Sequence, residues 1–108
     1  MTIVSLKVRL EHLSIMSARV AVITGSAQGI GKAIAIRLAK DGLKIVVSDV
    51  PNKFGQLQAV VQEIQGLGAK ATAVVCDVTV QAEVQKLVEK AVTEFGSVDV
   101  VSYPSLYR

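Results

Sequence analysis

Four short aliphatic runs, separated by three stretches of helical periodicity, constrain this chain more than anything else in it. Val20-Ala21-Val22-Ile23, Lys44-Ile45-Val46-Val47-Ser48, Lys70 to Cys76 and Val98-Asp99-Val100-Val101 have strand length and are rich in β-branched residues. Runs that are apolar on consecutive residues, rather than on alternate ones, must be covered on both faces. Between them, Gly29 to Asp41 predicts a helix with Ile30, Ile34 and Leu38 toward the sheet, Ala33 beside them, Lys32 and Lys40 in water, and Gly42 as its left-handed stop. A second helix is expected from about Lys53 to Gln65, after a turn at Pro51-Asn52. Phe54, Leu57, Val61 and Ile64 form its buried stripe, and Gly66 and Gly68 end it. A third is expected to be capped by Thr79, with Glu83 in its first turn, Val84, Leu87, Val88, Ala91 and Phe95 inward, and Gly96 at its end. Strands alternating with helices at this spacing form right-handed crossover units. The fold class is therefore α/β, a doubly wound parallel sheet.

Composition narrows the class further. The chain has 108 residues, 51% apolar and 19% charged, which suits one small domain and excludes a disordered tail. It holds no uncharged apolar run of membrane-spanning length, so no membrane partner is expected. One cysteine excludes a disulfide framework and a multi-cysteine zinc site. Cys76 ends the run Ala73-Val74-Val75-Cys76 and reads as a buried, inert thiol, and the lone His12 reads as a surface residue. The net charge of +3 is mild, and no two of the 12 Lys and Arg are adjacent. Nucleic acid is therefore not an expected partner, since that would need clustered basic residues.

The chain divides into three parts. Residues 1–18 are an extension in which Ile3, Leu6, Leu10 and Leu13 fit one helical face, with Lys7, Arg9, Glu11 and His12 among them. Its apolar core is too short for a signal peptide. A cytoplasmic location is expected, with a mitochondrial presequence as the alternative; Met16-Ser17-Ala18 also reads as a start. Residues 19–101 carry the regular pattern, and residues 102–108 diverge from it.

The chemical signal is Thr24-Gly25-Ser26-Ala27-Gln28-Gly29-Ile30-Gly31, between the first strand and the first helix. Gly25 permits the tight turn. Gly29 lets backbone approach a pyrophosphate, and Gly31 lets the helix pack closely on the strand. The helix N-terminus then offers N–H groups and partial positive charge to phosphate. Asp49 closes the second strand 18 residues past Gly31, where a carboxylate can accept from an adenosine ribose diol. The same charge repels a 2′-phosphate, which favours NAD over NADP. No Arg follows Asp49 to offset it, although Lys53 is near. A nucleoside triphosphate loop is excluded because Gly31-Lys32 is followed by Ala33.

Thr24-Gly25-x-x-x-Gly29-x-Gly31 resembles the cofactor motif of the short-chain dehydrogenase/reductase family. Cys76-Asp77-Val78-Thr79 is similar to that family's segment after the third strand, and Phe95-Gly96-Ser97-Val98-Asp99 to the lead-in to its fourth. Within the family the chain looks most like NAD-using sugar-alcohol, acetoin or steroid-type dehydrogenases. The resemblance implies a Rossmann-type sheet of order 3-2-1-4 and oxidoreductase descent, acting on alcohol or carbonyl groups. It implies that Gly25, Gly29 and Gly31 form the pyrophosphate loop, lined by Ser26 and Gln28, with the Ile30 N–H on phosphate. Asp49 would hold the ribose with Val50 beside the adenine. Asp77 would bond the adenine amino group, with Val78 contributing backbone.

The pattern stops at the fourth strand. Where the family continues Asn-Asn-Ala-Gly, this chain reads Ser102-Tyr103-Pro104-Ser105. The family's catalytic Ser and its Tyr-x-x-x-Lys pair have no counterpart here, and neither Tyr103 nor Tyr107 makes that motif. No catalytic residue is assigned. The expectation is a nucleotide-binding half that is inactive alone and marginally stable, with an exposed fourth-strand edge open to association. The alternatives are a non-enzymatic fragment that binds or regulates a full-length relative, and a non-functional product.

Overall fold

A computed structural model describes residues 19–102. The expectations for the 1–18 extension, for His12, and for Tyr103, Tyr107 and the rest of the tail lie outside the described residues. The chain runs β1 (Val20–Ile23), α1 (Gly29–Lys40), β2 (Lys44–Asp49), a 3-10 turn (Pro51–Lys53), α2 (Phe54–Gly66), β3 (Ala71–Val75), α3 (Gln81–Phe95) and β4 (Val100–Ser102). All pairings are parallel, in the order β3-β2-β1-β4. The chain thus winds outward from β1 to β3, then returns to the far side of β1. The order reverses between β1 and β4, which is where sheets of this class hold ligands, beyond the carboxyl ends of the strands.

The consecutive apolar residues of the strands serve two cores. Ala21 and Ile23 of β1 pack with Ile45, Val47, Leu57, Val60, Ile64 and Val100 under α1 and α2. Val20 and Val22 point the other way, to Val46, Cys76, Leu87 and Ala91 under α3. The period of two along a strand divides each run between the faces. Cys76 is buried, and burial pushes its thiol upward, helped by the nearby Glu83 and Asp77 carboxylates.

Four sequence expectations are corrected. On α1 the innermost residues are Gly31, Ala35 and Ala39, while Ile30 is 44% exposed and Ala33 faces water. Close approach of the helix to the sheet selects the smallest residues, so Ile34 and Leu38 flank the contact instead of centring it. Phe54 is exposed as well, because α2 begins there and its buried stripe starts a turn later at Leu57 and takes in Val60. Thr79 does not cap α3; Val80 holds the cap position. β4 starts at Val100 rather than Val98, and it includes Ser102, which pairs with Ile23. Asp99 explains the shift: its carboxylate accepts from the Val20 N–H at 3.0 Å and from the Ser97 hydroxyl at 2.9 Å, clamping the start of β1 from outside the strand.

Candidate functional site

The turn after β1 is built by its glycines. Gly25 and Gly29 adopt φ of 62° and 64°, the left-handed region that other residues enter at a cost. A Cβ on Gly31 would land on the Gly25 carbonyl oxygen, with the carbonyl carbon 2.7 Å away. Gly31 therefore packs α1 against the turn itself, rather than against the strand as the sequence suggested. A Cβ on Gly29 would meet nothing within 4 Å, so this backbone borders open space at the head of α1. Gln28 occupies the cap position in an extended conformation, and its side chain does not cap the helix. The opening N–H groups of a helix have no acceptor within it. No acidic residue stands in the first turn of α1 to compete for its positive end.

Ser26 departs from a simple loop-lining role. Its hydroxyl donates to the Ile23 carbonyl at 2.8 Å and accepts from the Ser48 N–H at 2.9 Å. Its own N–H donates to the Ser48 carbonyl at 2.9 Å. Ser26 is fully buried and stitches the end of β1 to the end of β2, which fixes where the turn sits. Thr24 does the same on the other side, its N–H donating to the Ser102 carbonyl at 3.1 Å.

Asp49, at the end of β2, is tied to the turn. Its Oδ2 accepts from the Ala27 N–H at 3.1 Å, and its Oδ1 accepts from the Val50 N–H at 2.8 Å. Each oxygen keeps a second lone pair. The carboxylate is thus aimed from β2 at the glycine turn; Val50, next to it in sequence, and Ile30, at the head of α1, are exposed at 38% and 44%. Gln28 reaches from the turn to the start of α2, where its Oε1 accepts from Lys53 Nζ at 3.3 Å and from Gln56 Nε2 at 3.1 Å.

After β3, Asp77 closes a turn of its own. Its Oδ1 accepts from both the Thr79 hydroxyl, at 2.6 Å, and the Thr79 N–H, at 2.9 Å. Its N–H donates to Glu83 Oε1 at 2.8 Å. Thr79 is held in this turn, and the cap position of α3 falls one residue later, at Val80. Oδ2 takes none of these bonds, and Val78 beside it is half-buried. The Thr79 hydroxyl and N–H hold the Asp77 carboxyl below its ordinary value. A carboxyl lowered in the folded chain adds stability that is present above its unfolded pKa and is lost as pH falls through the lower folded value. In an NMR titration, Asp77 should ionise below the usual aspartate value of about 3.9. Thr79→Val should move it back up; an unchanged midpoint in that variant would remove Thr79 as the cause.

The sequence model of the short chain dehydrogenase family matches residues 19–103. The chain belongs to the short-chain dehydrogenase/reductase family. Among members of that family, it is 46% identical over 89 residues to the short-chain dehydrogenase/reductase eriH of Hericium erinaceus, covering 80% of this chain and 35% of that one. The short-chain dehydrogenase/reductase of Burkholderia phymatum, solved in complex with NAD, is 40% identical with a TM-score of 0.69, over 74% of this chain and 28% of its own. The alcohol dehydrogenase of Thermococcus sibiricus, solved with 5-hydroxy-NADP, is 36% identical with a TM-score of 0.71, over 77% of this chain and 35% of its own. The fold is accordingly Rossmann-type, as its strand order implies. The chain spans about a third of the length of the curated relative named here.

For a short-chain dehydrogenase/reductase sequence, the site residues fall into two groups. Gly25, Ser26, Gln28, Gly29, Ile30 and Gly31 share one turn and helix start with Asp49 and Val50, joined through Ala27. Asp77 and Val78 close the neighbouring strand β3, whose Val75 pairs with Asp49, and the Cys76 N–H donates to the Asp49 carbonyl at 2.8 Å. Sequence reasoning missed Ala27 as the tether of Asp49, and Lys53 with Gln56 as partners of Gln28. Those pairs are separated by 22, 25 and 28 positions, and only the return of the chain through β2 brings them together.

Proposed function

We propose that this chain holds the adenosine and pyrophosphate end of a dinucleotide, with NAD preferred over NADP, for an oxidoreductase acting on alcohol or carbonyl groups. The observation that carries the reading is the uncapped, glycine-bordered head of α1 standing beside the tethered Asp49 carboxylate. The residues fit the group: there is open space at Gly29 for a phosphate, helix N–H groups at Ile30 and Gly31 to meet it, and lone pairs on Asp49 for a ribose diol. When bound, the dinucleotide supplies the ring carbon that gives or takes hydride. Asp49 and Val50 position the adenosine, and Asp77 Oδ2 accepts from the adenine amino group beside Val78. Ser26 acts through the turn it pins, not by contact.

A second reading has one observation in its favour. Among the described residues β4 pairs only with β1, so its other edge can receive a strand. That favours association with a relative, in addition to cofactor binding and not in place of it.

Titration calorimetry tests the main reading through Asp49. NAD should bind more tightly than NADP, and NADP binding more tightly would sink the preference. Asp49→Ala should weaken NAD by about tenfold, the loss expected for hydrogen bonds to a charged group. It should weaken NADP less. Asp49→Asn, which keeps an acceptor for Ala27 but no charge, should relax the discrimination with a smaller loss of NAD.

A further inference from the structure

Strand β3 is an edge, and its own residues do nothing to blunt it. Among the described residues it pairs only with β2, in unbroken register from Ile45 with Ala71 to Asp49 with Val75. Edge strands are ordinarily guarded by a charge, a proline, a bulge or a very short length. Ala71–Val75 has five residues, with no charge and no proline. β1 is buried at every position, whereas β3 is half-buried from Ala71 to Val74 and exposed at Val75. The Lys70 carbonyl accepts from the Ile45 N–H, and the Cys76 N–H donates to the Asp49 carbonyl, so these even-numbered positions face β2. Successive residues of a strand turn their main chain to opposite sides. The N–H and C=O groups of Ala71, Ala73 and Val75 therefore face outward.

Two grooves lie along this edge beneath α3, one beside Lys86 and the other beside Glu94; Ala73 and Lys90 border both. Lys90 thus stands level with the middle of β3. Lys86 and Glu94 lie four residues to either side of it, about 6 Å along the helix. Among the described residues the ion pairs are Lys32 with Glu63 and Arg37 with Asp41, so neither Lys86 nor Glu94 has one.

We propose that β3 pairs with β3 of a second copy of this chain, antiparallel and about a two-fold axis at Ala73, joining the two sheets into one. Two features select a second copy over any other partner. First, an axis at Ala73 sets Ala73 against itself and Ala71 against Val75 of the second copy. All three outward-facing positions then fall on hydrogen-bonded pairs of an antiparallel ladder. Second, the same axis, level with Lys90, sets Lys86 opposite Glu94 of the second copy, and symmetry makes that contact twice. The two Lys90 ammoniums face each other across the axis, and their long side chains can part. Val75 and Phe54, both exposed at this end of the edge, move out of water against the second copy. The pairing does not depend on dinucleotide binding, and it is separate from the free edge of β4.

Sedimentation velocity across a concentration series of the purified chain reads the assembly, and the mass should move from that of one chain toward that of two. Lys86→Glu should weaken association by about tenfold, because it turns two attractions of a symmetric interface into repulsions. Lys86→Glu combined with Glu94→Lys should restore it. Both residues are exposed on α3, and circular dichroism checks that each variant is folded. In hydrogen exchange followed by NMR, the N–H groups of Ala71, Ala73 and Val75 should become protected as concentration rises, while those of Thr72 and Val74, bonded to β2, stay protected throughout. A monomer at every concentration would overturn the proposal, and protection of the three outward N–H groups in that monomer would give the edge to residues 1–18 instead. A dimer that tolerates Lys86→Glu, or exchange at Ala73 that ignores concentration, would place the association on another surface and overturn it equally.

Discussion

Gly31→Ala is expected to break the turn and cost roughly 3 kcal/mol of stability. Overpacking costs about 1–3 kcal/mol where flexible side chains can move aside. Here the new methyl would meet the Gly25 carbonyl and, at 3.0 Å, the Ser26 Cα, both of which are backbone. That backbone cannot yield freely, because the Ser26 N–H and hydroxyl are bonded to β2 and β1. In a domain of this size the loss corresponds to a fall in melting temperature of roughly 10–20 °C. Binding of NAD should vanish with the turn. Gly29→Ala is the informative contrast. Its φ of 64° makes any side chain strained, but the methyl would enter open space. About 1 kcal/mol of strain should leave the chain folded. The methyl would occupy the space proposed for phosphate and weaken NAD by about tenfold, or 1.4 kcal/mol. Thermal melts and calorimetric titrations of both variants separate the two roles. A Gly31→Ala chain melting within a few degrees of the wild type would refute the packing account, and a Gly29→Ala chain binding NAD normally would move the phosphate elsewhere.

The sheet was legible in the sequence because its strands are buried on both faces, which leaves unbroken aliphatic runs such as Val20 to Ile23. The glycine turn was legible for a different reason: Gly25 and Gly31 answer steric demands that no other residue meets. Reading failed where an observation depended on distance instead of pattern. Large aliphatic residues at Ile30, Ile34 and Leu38 imitate the inward stripe of α1, yet the close approach set by Gly31 gives that place to Ala35 and Ala39. Ser26 looks like a polar group lining a loop, and its hydroxyl is instead spent between two strands. Thr79 has the chemistry of a helix cap, but α3 starts one residue too late for it, and Thr79 instead closes a turn with Asp77. In each case the residue type was read correctly and its surroundings were not, because local spacing does not say what the fold brings closest to it.

These 108 residues, purified on their own, are expected to show no hydride transfer with any alcohol or carbonyl substrate, even at saturating NAD or NADH. Orientation of two reactants and proton transfer must both be supplied by protein, since the dinucleotide brings only its reactive ring. A positioned acid or base contributes about 10²–10⁴-fold, and it must stand within hydrogen-bond reach of the reacting oxygen. The proposed contacts from Gly25 to Val78 all fall on the adenosine and pyrophosphate end, which leaves the reacting ring without a neighbour that could orient it. Asp49 and Asp77 belong, in the same proposal, to the ribose and the adenine, away from the reacting ring. Cys76 is buried, with its thiol pushed toward the protonated form. The phenols are Tyr103 and Tyr107, and the residue four positions past Tyr103 is Tyr107, not a Lys. A substrate screen following the absorbance of the reduced cofactor checks this, in a preparation free of full-length relatives. Turnover above the uncatalysed rate that disappears in Tyr103→Phe or Tyr107→Phe would show that the end of the chain supplies the acid. Turnover that survives both changes would overturn the expectation of inactivity and leave the acid to be found elsewhere in the chain.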